Sequence, residues 1–475
     1  MRKILFLFIL CFMAVAVAQE EAAPVPAPAE EKAAPATGDA VEARIKAIEE
    51  NQAKLEEENK KLREELAAKK EVAEAPKAES AKEEKKEEKK AVEFAPYGFI
   101  ELYGWAHDAA FNAGDFPIKV VDEGKSTTGM TAKNSRFGTK IMFPRIEEVK
   151  LGATLEIDFF TNMADTGYAE SYPMIRMRHA FFELSKTWDN STLGFKAGQT
   201  WSTATPILFP AQINPSLGWG LGNLWQRMPL VEIYFTQKFA ETFAFTTQLA
   251  AVRAMSGASA NKNGFLEVNI DAGDASHIPQ IQGQLSLKGA FAGLDLLVAV
   301  GGAWGRESYK GGVIPNKDTK KKLIGDTADV VLVNPALKLS HEYFEVAGKF
   351  FWGQNVDVFG AFGGALITEL VAAETPTTPK TSRVTGSQTT LGYWAQATGK
   401  PLKGWNLNVG YGAEDPEKEA GADLTFLSNS SVWVSSFYTF FERVTIGVQW
   451  SHVWTELLTK DISGNTIMGS AKVSF

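Results

Sequence analysis

Arg176 and Arg178 stand two residues apart, and of all the side chains in this sequence they are best placed to do chemistry on an anion. On a strand that spacing puts both guanidiniums on one face, where two planar forks suit carboxylate or phosphate oxygens. Arg136, Lys140, Lys196, Lys288, Lys338 and Lys349 share the same parity on their own segments, opposed by Glu156, Asp158, Glu232 and Glu345. The set is mixed but leans basic. Two readings stay open: a ladder that concentrates anions, or ion pairs of Arg176 and Arg178 with Glu156 and Asp158 across the lumen that stiffen the wall.

Other chemistries find less support. His107, His179, His277, His341 and His452 are scattered without metal-ligand spacing, and no glycine-rich phosphate loop or nucleophile elbow appears. Cys11 is the only cysteine, and it lies in a segment expected to be removed. Neither an enzyme, a metal site nor a cofactor is expected. Residues 1–93 hold 17 of the 49 basic and 21 of the 57 acidic residues, so neither part is basic enough for a nucleic-acid partner.

The elements that carry these charges alternate with period two from Phe94 onward. Phe137, Thr139, Ile141 and Phe143 alternate with Arg136, Gly138 and Lys140, and Leu151, Ala153, Leu155, Ile157 and Phe159 with Gly152, Thr154, Glu156 and Asp158. Each segment has an apolar face and a wet face. Sixteen such segments can be counted, each about ten residues long as a tilted membrane strand requires. Long connections (107–132, 202–228, 254–278, 305–327, 356–385, 413–430) alternate with short ones, as in an outer-membrane barrel with short periplasmic turns. Trp105, Trp225, Trp304, Trp352, Trp394, Trp405, Trp433, Trp450 and Trp454 fall near strand ends, where interfacial girdles are expected.

Residues 1–93 divide by composition. Residues 1–18 read as a secretory signal peptide, with Arg2 and Lys3 before an apolar run and Ala16-Val17-Ala18 at the cut. Residues 19–40 are an Ala/Pro-rich segment expected to be disordered. Residues 41–70 carry a heptad seam, with Ile45, Gln52, Asn59 and Leu66 at a and Val41, Ile48, Leu55 and Leu62 at d. A parallel self-associating coiled coil is the consequence. Residues 71–93 form a charged linker. The predicted fold is therefore all-β: a 16-stranded antiparallel transmembrane barrel over 94–475, preceded by a short α-helical coiled coil.

A barrel of about sixteen strands leaves an aqueous lumen, so passive diffusion of small hydrophilic solutes is the expected function. The third exterior loop, Ser202 to Met228, is rich in proline and apolar residues and is expected to fold inward. Its one charged residue is Arg227, a further candidate for the pore lining. Phe182 falls on the wet parity of the Arg176 strand unless a bulge near His179 resets the phase. A second role, tethering the outer membrane to peptidoglycan, would use the periplasmic coiled coil.

Ser135-Arg136-Phe137-Gly138-Thr139-Lys140, Arg176-Met177-Arg178-His179-Ala180-Phe181-Phe182-Glu183-Leu184 and Gly198-Gln199-Thr200-Trp201-Ser202 resemble stretches of the DcaP-like trimeric porins. That family also places a coiled coil before a sixteen-stranded barrel, and the phosphate-selective porins are related to it. The resemblance implies a homotrimer in outer-membrane lipid and a preference for small anions such as dicarboxylates. It touches Arg136, Lys140, Arg176 and Arg178. Past Ser202 the third loop departs from the family pattern, which leaves the solute open.

Overall fold

The structure, a computed structural model, describes residues 91–162, 173–214, 216–239, 241–256, 271–308, 313–316, 319–324, 327–371, 381–418 and 426–475. The expected signal peptide, Ala/Pro-rich segment and coiled-coil seam, and the charged linker up to residue 90, lie outside the described residues.

Alternating apolar and polar residues produce strands throughout. In chain order they are β1 (Glu93–Phe111), β2 (Val120–Thr131), β3 (Arg136–Met142), β4 (Val149–Asn162), β5 (Pro173–Trp188), β6 (Ser191–Trp201) and β7 (Arg227–Lys238). Next come β8 (Ala244–Val252), β9 (Gln280–Phe291), β10 (Leu294–Ser308), β11 (Val313–Asn316), β12 (Thr319–Ile324), β13 (Thr327–Ser340) and β14 (Phe344–Gln354). The last are β15 (Ala365–Val371), β16 (Thr381–Ser387), β17 (Thr389–Leu402), β18 (Trp405–Pro416), β19 (Phe426–Phe440), β20 (Val444–Leu457) and β21 (Asp461–Ser474).

Seventeen of these segments make one sheet. β2 and β3 are two halves of a single wall strand, because β1 pairs with β3 over Glu93–Phe99 and with β2 over Tyr103–Phe111. The wall therefore has sixteen positions, as the sequence led us to expect. β21 returns to β1, with Phe99 opposite Ser474 and His107 opposite Thr466, and the sheet is closed. Gly98 and Phe475 seal the seam by exchanging two backbone hydrogen bonds of 3.1 Å. β11, β12, β15 and β16 form a separate four-stranded sheet within the long connections.

Closure fixes which face each residue takes. Leu155, Leu193, Ile233, Leu249, Leu285 and Ile467 are exposed on the outside, while Glu156, Asp158, Gln282, Asn334 and Gln449 are buried on the inside. Such a surface is unfavourable in water and favourable in lipid, and a closed sheet is one of the few ways for a backbone to cross a bilayer with its polar groups paired. Short turns gather at the end where β1 begins and β21 stops. One of them, Ala292-Gly293, has two consecutive positive φ angles of 50° and 78°, the geometry of a two-residue hairpin.

Two expectations change. The first long connection is mostly strand: β1 runs on to Phe111 and β2 starts at Val120, leaving 112–119 as the loop. Four of the nine tryptophans proposed for the girdle are buried instead. Trp304, Trp352, Trp450 and Trp454 face outward, but Trp105, Trp225, Trp394 and Trp433 are buried. Trp394 and Trp433 lie on the parity of Gln396 and Ser435, the inner face, which position along a strand does not reveal. The largest apolar core among the described residues sits inside the barrel, around Leu224, Met228, Phe351, Val356 and Phe359.

Candidate functional site

The connection between β6 and β7 supplies Ala204 and Leu224 to that inner core, and the wall strands and the turn after β14 supply the rest. As its composition suggests, the β6–β7 connection turns inward, and wall glutamines hold it. Gln282 Oε1 accepts from the Ser202 hydroxyl (2.8 Å) and the Ala204 N–H (3.1 Å), Gln396 Oε1 from the Ala211 N–H (2.8 Å), and Gln449 Oε1 from the Ile213 N–H (2.6 Å). These amides satisfy loop N–H groups that would otherwise be buried without a partner. Lys349 adds a cation, donating to the carbonyls of Pro206 (3.0 Å) and Leu224 (2.8 Å), one near each end of the loop. Where the loop meets the wall at Gly222, φ is +86° and a Cβ would lie 2.1 Å from the Tyr393 carbonyl oxygen.

Two other connections meet the inward loop. After β14, Phe359 accepts hydrogen bonds from the Trp225 N–H and the Trp219 indole, both at 3.1 Å, and Gly360 accepts from the Gly220 N–H at 3.2 Å. From the β1–β2 loop, Pro117 accepts from Asn214 Nδ2 at 3.0 Å, and Phe116 meets Trp219 edge-on at 5.9 Å. The inward turn of residues 356–364 was not foreseen. Its trace in the sequence is the apolar set Val356, Val358 and Phe359, all buried.

Across the remaining space stands the wall of β3, β4 and β5. Phe99, Arg136, Asp158 and Arg176 lie in one cross-strand row, and Gly138, Glu156 and His179 in the next. Arg176 forks onto Asp158 through Nε (2.9 Å) and Nη2 (2.7 Å), while Arg178 joins Glu156 (2.6 Å) to Asp158 (2.7 Å). Arg136 Nε lies 3.6 Å from Glu156, whose second oxygen accepts from the Tyr97 hydroxyl at 2.9 Å. The paired reading of Arg176 and Arg178 therefore holds, between neighbouring strands rather than across the lumen. The pairing does not neutralise the cluster, since three guanidiniums face two carboxylates.

The bulge that Phe182 requires is present. Opposite β4 the register slips between Glu156–His179 and Ile157–Met177, so Arg178 is the extra residue. This brings His179 inward beside Arg178 and returns Phe182 to the outer face, 44% exposed.

Arg227 stands on the loop side. Its guanidinium lies 4.6 Å from the Trp201 ring centroid and 5.2 Å from that of Trp225, and it forms no ion pair among the described residues. Aromatic faces stabilise a cation without cancelling its charge. Between Arg227 and the wall lies a cavity of about 550 Å³ that also takes in Arg136, Arg176, Arg178 and Lys472, with Glu101 its one lining carboxylate. Counting Glu156 and Asp158 behind the arginines, the charge there is positive.

Of the expected site residues, Arg136, Arg176, Arg178 and Arg227 share this cavity. Lys140 does not, lying over the Tyr97 ring at 5.8 Å, nor does Lys196, which is paired with Glu232 at 2.9 Å. Lys472 was overlooked as a site residue, although it sits on the wet parity of the last strand.

Neither a family model nor a curated protein matches this sequence. The outer membrane channel DcaP of Acinetobacter baumannii matches in structure with a TM-score of 0.58 at 16% identity, covering 81% of this chain and 97% of that one. The fold is that of a porin barrel. Weaker structural matches at the same 81% coverage include an anion-selective porin from Comamonas acidovorans (TM-score 0.49, 11% identity, all of that chain) and OmpT of Vibrio cholerae (0.46, 14%, 98%). On this porin fold the inward third loop and the facing arginine wall border one cavity inside the barrel.

Proposed function

We propose that this chain is an outer-membrane porin through which small hydrophilic solutes diffuse passively, with a preference for small anions such as dicarboxylates. The observation that carries the reading is the Arg227 guanidinium, held between two tryptophans and opposite Arg136, Arg176 and Arg178 across one cavity. A fixed positive charge in a low-dielectric constriction raises the local concentration of anions and repels cations. Arg176 and Arg136, with side chains 33% and 25% exposed, are the wall guanidiniums a solute can reach, whereas Arg178 at 5% holds the wall together. The porin fold and the apolar exterior support an outer-membrane setting, and the resemblance to DcaP-like porins supports a homotrimer.

Purified protein in planar bilayers tests the reading. Stepwise currents with a reversal potential on the anion side in a potassium chloride gradient are expected, and Arg227→Ala should move that potential toward zero. Absence of current, or a cation-selective pore, overturns it.

A further inference from the structure

A second set of cations lies well away from the arginines, at the short-turn end of the barrel. The ladders place Lys238 opposite Ala244, Ala244 opposite Lys288, Lys288 opposite Leu297, and Leu297 opposite Lys338. Cross-strand partners point to the same side of a sheet, so these five residues form one row across β7, β8, β9, β10 and β13. Lysine recurs at every second strand on the inner face. Strands lie about 4.8 Å apart, which spaces neighbouring lysine backbones by about 10 Å. Within the row the intervening Ala244 is small and Leu297 carries no charge, which leaves space between the flexible ammonium stems.

We propose that Lys238, Lys288 and Lys338 form a second binding site, taking a small oxyanion with two or more negative charges at the mouth where the short turns gather. They line a hollow of about 510 Å³ together with Ala244 and Leu297, so there is room for such a ligand between the stems. Lys338 is held in place by Glu345 at 2.9 Å. Lys238 and Lys288 form no ion pair among the described residues, although Glu241 and Asp295 border the same hollow. Those carboxylates set the selectivity: a singly charged ion gains little, while a doubly charged one reaches two ammoniums at once. Lys238 lies six residues along β7 from Glu232, which anchors Lys196 and the Thr203 hydroxyl of the inward loop. That is about 20 Å of strand, so this site is separate from the constriction.

The inference rests on the porin reading and adds to it a second stopping place with its own ligand class. The test is block of the chloride current by inorganic phosphate and, in a separate arm, by succinate, each added from either face. Wild-type pores and the Lys238→Gln/Lys288→Gln variant are compared, with the heat-dependent gel shift as the folding control. The expected result is block about tenfold weaker from one face only, with the reversal potential in potassium chloride little changed. Weakening in both arms assigns the site to dianionic oxyanions generally, and weakening in one arm assigns it to that anion. Unchanged block, or equal loss from both faces, overturns the site. A wild-type pore that is closed or cation-selective sinks the porin reading itself. If the variant does not fold, Lys288→Gln alone answers the same question, since Lys288 is exposed at the centre of the row.

Discussion

Lys349 Nζ lies 2.8 Å from the carbonyl oxygen of Leu224, inside the barrel, and its other acceptor is the equally neutral carbonyl of Pro206. One ammonium thus ties both ends of the inward loop to β14. Lys349→Met keeps the stem and removes the donor, leaving two buried carbonyls unpaired at about 1–3 kcal/mol each. Larger single-channel conductance with more open-state noise is expected, and an unchanged trace would mean that the wall glutamines hold the loop alone.

Arg176 and Arg178 should separate when each is changed to alanine. Arg178→Ala leaves Glu156 and Asp158 with less compensation in a buried place, and breaking a buried pair costs about 3–5 kcal/mol. Its signature is a lower unfolding midpoint in guanidinium. Arg176→Ala removes a half-accessible cation, so anion preference should fall while the midpoint moves less. If both variants lose stability equally and keep full selectivity, the wall has no part in permeation.

Gly222→Val brings a side chain against the carbonyls of Tyr393 and Ala413 at a backbone angle that disfavours branched residues. The loop must then leave its seat. The barrel should still form and shift on gels, with conductance raised severalfold, because the sixteen wall positions do not include this residue. Wild-type conductance would show that the seat is not needed.

Tryptophan quenching by brominated lipid checks the inside-outside assignment. Changing Trp304 or Trp450 to Phe should reduce the quenched fraction, and changing Trp394 or Trp433 should raise it. The reverse pattern would invert the barrel wall as described.

Much of this was legible because membrane strands write their orientation directly: Leu155 and Glu156 cannot exchange faces without one meeting lipid and the other leaving its arginines. The bulge at Arg178 was readable for the same reason, through the awkward parity of Phe182. Tryptophan was the weak point. Trp394 donates from its indole to Asn223 Oδ1 at 3.0 Å, a partner supplied by a loop 171 residues away, and no local pattern announces that contact. The turn after β14 was hidden likewise, since its hydrogen bonds run to the third loop. Lys196 looked like Arg136 by parity, and only the register placed Glu232 beside it.

The reciprocal bonds between Gly98 and Phe475 carry a lesson for biogenesis. A product that stops short of β21 leaves β1 and β20 as bare edges, free to capture strands from other copies. Truncation therefore does not yield a narrower conduit. The ring is all or nothing, and synthesis must finish before anything can flow.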